Sequence, residues 1–197
     1  MGTTIFIGHA SVTGAGPISG TLGGAATATS VDGPEGTSAA SFPAGVSCMA
    51  SSSTETNGAG VTFSPLTTGA VTDTATGVDN ATTLSAKTSS TVSNVKVANI
   101  LSFGGVKASA TAAKSGSGVT SSGSVTLTNP KLLGTSVPVL PAHPKANYTV
   151  KVNGDTLVLN RQVKTANGIT IQALYLTGQS IGTIVVGSAS ASAYPAG

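Results

Sequence analysis

The chain has 197 residues, of which 8% are charged and 4% aromatic, with 26 glycines, no tryptophan and a formal net charge of +3 at pH 7. That length suits one domain with a full core or two small ones. Low charge with positive mean hydropathy excludes a disordered chain, which needs the reverse. β-Branched Thr and Val are frequent and favour strands, and small residues at so many strand positions imply layers that approach closely.

Nine basic residues face six acidic ones, spread thinly; Lys87, Lys96, Lys107 and Lys114 are never adjacent. Nucleic-acid binding would want a clustered basic stripe with aromatics for stacking, so no nucleic-acid partner is expected. Single lysines read instead as solubilising groups that guard strand edges.

At the N-terminus, "TTIFIGHASV" (3–12) holds the most concentrated bulky apolar patch, Ile5, Phe6 and Ile7. A short β-prone segment of this kind can add to an exposed sheet edge of a neighbouring copy, and self-association through it is one expectation. The alternative is an ordinary first strand of the same chain. The segment lacks the basic and apolar regions of a signal peptide, and Phe6 stands where myristoylation requires Ser or Thr. No apolar run approaches the ~20 residues that span a bilayer, so membrane insertion is not expected.

Further along, "GGAATATS", "GAVTDTATG", "GGVKASATA" and "GTIVVGSASASA" each pair a turn glycine with a strand of small residues. Cys48 stands alone and reads as a small buried hydrophobe. Asp73 and Asp79 could meet at a loop, with Asn80 adding a carbonyl for Ca²⁺, although a solvated turn is the plainer reading. "VKVANILSFGGV" (95–106) superposes on "VTLTNPKLLGTSV" (125–137) at an offset of about 30 residues, the range of internal repeats. Three prolines in "SVPVLPAHP" (136–144) keep that stretch out of a central strand.

"TVKVNGDTLVLNRQ" (149–162) is the clearest element. Asn153-Gly154 suits a type I′ turn, whose central residues both need positive φ. Pairing across it sets Lys151 opposite Thr156, Val150 opposite Leu157 and Tyr148 opposite Leu159. Tyr148, Val150, Val152, Leu157 and Leu159 then share the core face. The hairpin is expected to anchor a sheet with residues 169–176 and 183–193.

One catalytic pattern occurs: "GQSIG" (178–182) matches the nucleophile elbow, in which a strand-to-helix turn exposes the serine. Here strands flank it on both sides, and the two histidines, His9 and His143, both precede Ser180, so Ser180 reads as a turn residue. Asn80-Ala81-Thr82 and Asn147-Tyr148-Thr149 match the glycosylation acceptor, and Lys151 with Asn160 has the residue types of an isopeptide crosslink. Thr-x-Thr recurs at 27–29, 72–76 and 126–128. A flat threonine array could bind ice, but along the sequence the intervals are uneven.

No stretch shows a helical period. The expected fold is all-β with essentially no helix, either an irregular β-solenoid or a two-sheet β-sandwich with C-terminal hairpins. It is read as one domain over 1–197, with a repeat region (1–135) joined by the proline-rich crossing to a hairpin region (145–194).

"VANILSFGGVKASA", "DTLVLNRQ", "ITIQALYLT" and "IVVGSASA", in this order, resemble the choice-of-anchor P family of actinobacterial surface proteins over roughly residues 60–193. Arg161 departs from the acidic residue expected there, and "SAYPAG" carries neither a sorting signal nor an apolar tail. The resemblance implies an extracellular region joined to an anchor, with no established activity. The functional expectation is a non-enzymatic secreted or cell-wall structural protein, a subunit of a fibre or coat, with no catalytic, cofactor or metal residues. The rival is a surface-binding module for ice or a glycan.

Overall fold

In the computed structural model, the described residues are 20–195 apart from 34–35, 39–43, 48–50, 58–59, 80–83, 116–117, 133–139 and 179–180. Ile5, Phe6, Ile7, His9, Cys48, Asn80 and Ser180 therefore lie outside them. The fold is all-β, two antiparallel sheets that do not close into a barrel, consistent with a β-sandwich. Of the two architectures expected from sequence, the sandwich is the one found.

The first sheet holds β1 (Gly20–Gly33), β2 (Gly36–Ser38), β3 (Ala44–Ser47), β12 (Tyr148–Val152), β13 (Asp155–Thr165), β14 (Gly168–Gly178) and β15 (Gly182–Pro195). Its order is β12-β13-β14-β15-β1-β2, with β3 also on β1. The second sheet holds β4 (Ser51–Asn57), β5 (Val61–Phe63), β6 (Leu66–Thr68), β7 (Val71–Asp79), β8 (Leu84–Val97), β9 (Leu101–Ser115), β10 (Gly118–Thr128) and β11 (Lys131–Leu132). There the order is β10-β9-β8-β6-β5, with β7 joining β8 to β4 and β11 on β9. β1, β2 and β3, from the expected repeat region, thus pair into the sheet of the C-terminal hairpins.

The 149–162 hairpin forms as its sequence dictates. Asn153 and Gly154 take φ of 52° and 90°, and Tyr148, Val150 and Lys151 pair with Leu159, Leu157 and Thr156. Val152, Leu157 and Leu159 are buried, while Thr149 and Lys151 are exposed. Strands β14 and β15 complete the anchored sheet.

A row of positions that drop out of the ladders crosses the first sheet. Asn160, Ala173, Gly187 and Ala28 stand in line across the strands, the register is the same on either side of them, and inward positions change parity there. Asn160 and Gly187 adopt φ of 53° and 65°, a region that suits Asn and Gly. Parity change explains why Thr27 is half-buried whereas Thr29 is buried inside. The second sheet has its own step at Asn94 (φ 48°), opposite Gly104.

Between the sheets the seam is lined by small residues: Ala26, Ala189 and Ala191 on one side, Ala86, Ala108 and Ala110 on the other, all buried. Gly187 lies where an added Cβ would come within 3.3 Å of both Val106 and Ala173. At Gly123 an added Cβ would collide with the Ile171 side chain. Because the layers come so near, hydroxyls of one reach carbonyls of the other. Thr88 Oγ1 donates to Ser190 O at 3.1 Å, and Ser90 Oγ to Thr27 O at 3.3 Å.

The segment after β11 passes from the second sheet to the first. Its described part, 140–147, is held at both ends. Leu127 N, on β10, donates to Ala142 O at 2.8 Å. Asn160 Nδ2 donates to Pro144 O at 2.8 Å, Asn147 N to Asn160 O at 2.8 Å, and Gln162 N to Asn147 Oδ1 at 2.9 Å. A proline-bearing segment thus covers part of the β10 edge, a common protection for such edges.

Two substitutions test this account. Leu157 is fully buried, so Leu157→Asp places an unpaired charge in the core and should lower thermal stability by at least about 3 kcal/mol. A melting temperature within a degree or two of the parent would show the facing to be wrong. Asn160→Ala removes the bonds to Pro144 and strains a positive φ, and should cost about 2–3 kcal/mol by denaturant titration; Asn160→Gly, which relieves only the strain, should cost less.

Candidate functional site

Taken in chain order, the residues singled out by sequence are not gathered into one centre. Gly178 pairs with Gly182 across the β14–β15 turn, so the "GQSIG" flanks form a β-hairpin rather than a strand-to-helix elbow. His143 is exposed. Lys151 Nζ bonds Thr156 Oγ1 at 2.6 Å on the exposed face of the hairpin, whereas Asn160 is buried beneath it; the two are not brought together. Among the described residues no group of three or more His, Cys, Asp or Glu side chains converges as metal ligands. Among the described residues no helix is long and apolar enough to cross a membrane.

The expectation that Asp73 and Asp79 meet at a loop is overturned. Both belong to one extended strand, β7, and six residues of strand separate them by roughly 20 Å. Nor is Asp73 solvated. It alternates in step with Val71 and Ala75 and is fully buried. In register it stands opposite Glu55 on β4 and Ser90 on β8. Ser90 gives its hydroxyl proton to Thr27 O, and neither carboxyl oxygen of Asp73 has a hydrogen-bond partner among the described residues. Burial pushes the Asp73 carboxyl up to about 7. The period of two in "VTDTA" could have revealed it, since an acid in step with Val and Ala on a strand points inward.

On the opposite side of the same strands lies a broad polar face. Its rows, read across β7, β8, β9 and β10, are Thr72–Thr91–Lys107–Thr126, Thr74–Ser89–Ser109–Ser124 and Thr76–Lys87–Thr111–Ser122. These residues are exposed or half-buried, alternating with the core positions, and Thr74 and Ser89 hydroxyls lie 2.7 Å apart. The outward positions of these rows form a regular lattice, about 4.8 Å between neighbouring strands and about 7 Å along each strand, filled by Thr and Ser with Lys87 and Lys107 among them. Beyond Asn94 the face continues with Lys96, Ser102 and Lys131 in one row. Lys87, Lys96, Lys107 and Lys131, scattered along the chain, therefore share a face. Lys114 does not, being half-buried in step with Ala110 and Ala112.

Fold and face together define a β-sandwich that offers a wide hydroxyl surface. Comparison with family models, with curated proteins and with solved structures finds no match to the chain. The likeness to the choice-of-anchor P family accordingly rests on the sequence motifs alone.

Asp73 makes stability depend on pH in a defined direction. Its carboxyl ionises near the ordinary 3.8 in the unfolded chain and near 7 in the folded one. Between those values the unfolded state has released a proton that the folded state keeps. Stability is therefore greatest below about pH 4, falls as pH rises toward 7, and levels off above it. The loss is of order 2–4 kcal/mol. Asp73→Asn should be more stable than the parent at pH 8, with the difference shrinking toward pH 4. Parallel melting curves for the two proteins across that range would contradict the assignment.

Proposed function

We propose that the chain is a non-enzymatic structural protein of the cell surface or extracellular space, which works through its faces rather than through a pocket. What carries this reading is the hydroxyl-and-lysine face spanning β7 to β10, laid on a tightly packed small-residue seam. The strand–turn–strand setting of "GQSIG" supports the non-enzymatic part, because an elbow serine needs a helix after it. Assembly into a fibre or coat would use the N-terminal Ile5, Phe6 and Ile7 on a neighbour's sheet edge, giving an open head-to-tail array.

A second reading, a surface-binding module, is favoured by the even spacing of the same face. For ice, the regular lattice of hydroxyl positions is suitable, but Lys87 and Lys107 set strongly hydrated charges in the middle of the array.

Sedimentation velocity and negative-stain microscopy test the assembly reading. The full chain should form filaments or higher oligomers as its concentration rises, and a variant lacking residues 1–12 should stay folded and monomeric. A full chain that remains monomeric at high concentration, or a truncation that unfolds, would refute it. Ser180→Ala should leave any measured activity unchanged; esterase turnover that disappears in this variant would overturn the non-enzymatic reading.

A further inference from the structure

The sign of the charge on the hydroxyl face is uniform. Lys87, Lys107, Lys96 and Lys131 are all exposed there, and none of the outward residues described on β7 to β11 is acidic or aromatic. Of the acids whose side chains are described, Asp73 is inside and Asp155 is buried at the hairpin turn beside Gly178; Asp32 lies on β1 in the other sheet.

We infer that this face is a docking surface for an acidic polysaccharide. Spacing decides between polyanions. Lys87 and the row of Lys107 are four strand residues apart, about 14 Å, and the row of Lys96 and Lys131 lies a comparable distance further on. Duplex DNA presents a charge every ~1.7 Å and is met by dense basic clusters. Lysines this sparse, separated by rows of Thr and Ser, match a chain with few charges and many hydroxyls. Each lysine meets a carboxylate or sulfate, and the hydroxyls between exchange hydrogen bonds with sugar hydroxyls and water. Recognition works without ring stacking. On the other sheet, the Tyr175 ring is covered by the Arg161 guanidinium, 4.5 Å from its centroid.

This inference rests on the surface-binding reading and can fail separately from it. Binding of the full chain to immobilised hyaluronan, neutral dextran and duplex DNA is measured at 20 mM and 500 mM NaCl. Hyaluronan should bind at low salt and be released at high salt, as expected for charges separated by more than the screening length. Lys87→Gln/Lys107→Gln should weaken that binding about tenfold or more while leaving the melting temperature unchanged. Thr111→Lys, adding a charge to the same face, should strengthen it. Equal binding to dextran would leave a surface-binding protein but overturn the acidic partner. Tighter binding to DNA, or unchanged hyaluronan binding by the double variant, would also overturn it. No binding to any of the three would remove both readings.

Discussion

Close approach of the two sheets is the constraint on which the rest depends. Ala and Gly at the seam contribute little apolar area each, so stability must come from contact density and from hydrogen bonds that ordinary sandwiches, about 10 Å between layers, do not make. Thr88 and Ser90 reach across to backbone carbonyls because nothing bulky intervenes. The larger core residues, among them Phe103, Leu101, Leu157 and Leu174, gather away from those alanines. The row at Asn160, Ala173, Gly187 and Ala28 lets one sheet keep presenting inward residues on both sides of a change in parity. A larger side chain at Gly123 or Gly187 would push the layers apart and part these bonds together.

Asp73 lies on the core side of β7, and neither of its oxygens is partnered among the described residues. Burial raises its carboxyl to about 7, so it keeps its proton through the acidic range and loses it around neutrality. Such a residue contributes nothing evident to folding.

Much of the fold was legible in the sequence where the signal is local. Asn153-Gly154 fixes a turn, and a turn fixes register, so the hairpin pairs follow one by one. The inward set Tyr148, Val150, Val152, Leu157 and Leu159 then follows from a period of two. What could not be read was anything that depends on which strand lies beside which. Lys87, Lys107 and Lys131 are separated by 20 to 44 residues, and only the β8–β9–β10 and β9–β11 registers gather them on one face. Of the Thr-x-Thr stretches, 72–76 and 126–128 come onto that face through the same registers, whereas 27–29 lies in the other sheet with Thr29 buried. At Asp73 the local pattern was sufficient and was outweighed by the usual preference of aspartate for turns.

One consequence concerns mechanical force. β1 and β15 run antiparallel with Gly20 opposite Pro195, so both strand ends leave the domain at the same place. Tension applied between those two points would load the ladder one pair at a time, opening it like a zip, rather than shearing all its hydrogen bonds together. A domain pulled this way yields at low force. One gripped across its broad outer face spreads the load over four strands at once, and the ladder between its ends carries none of it.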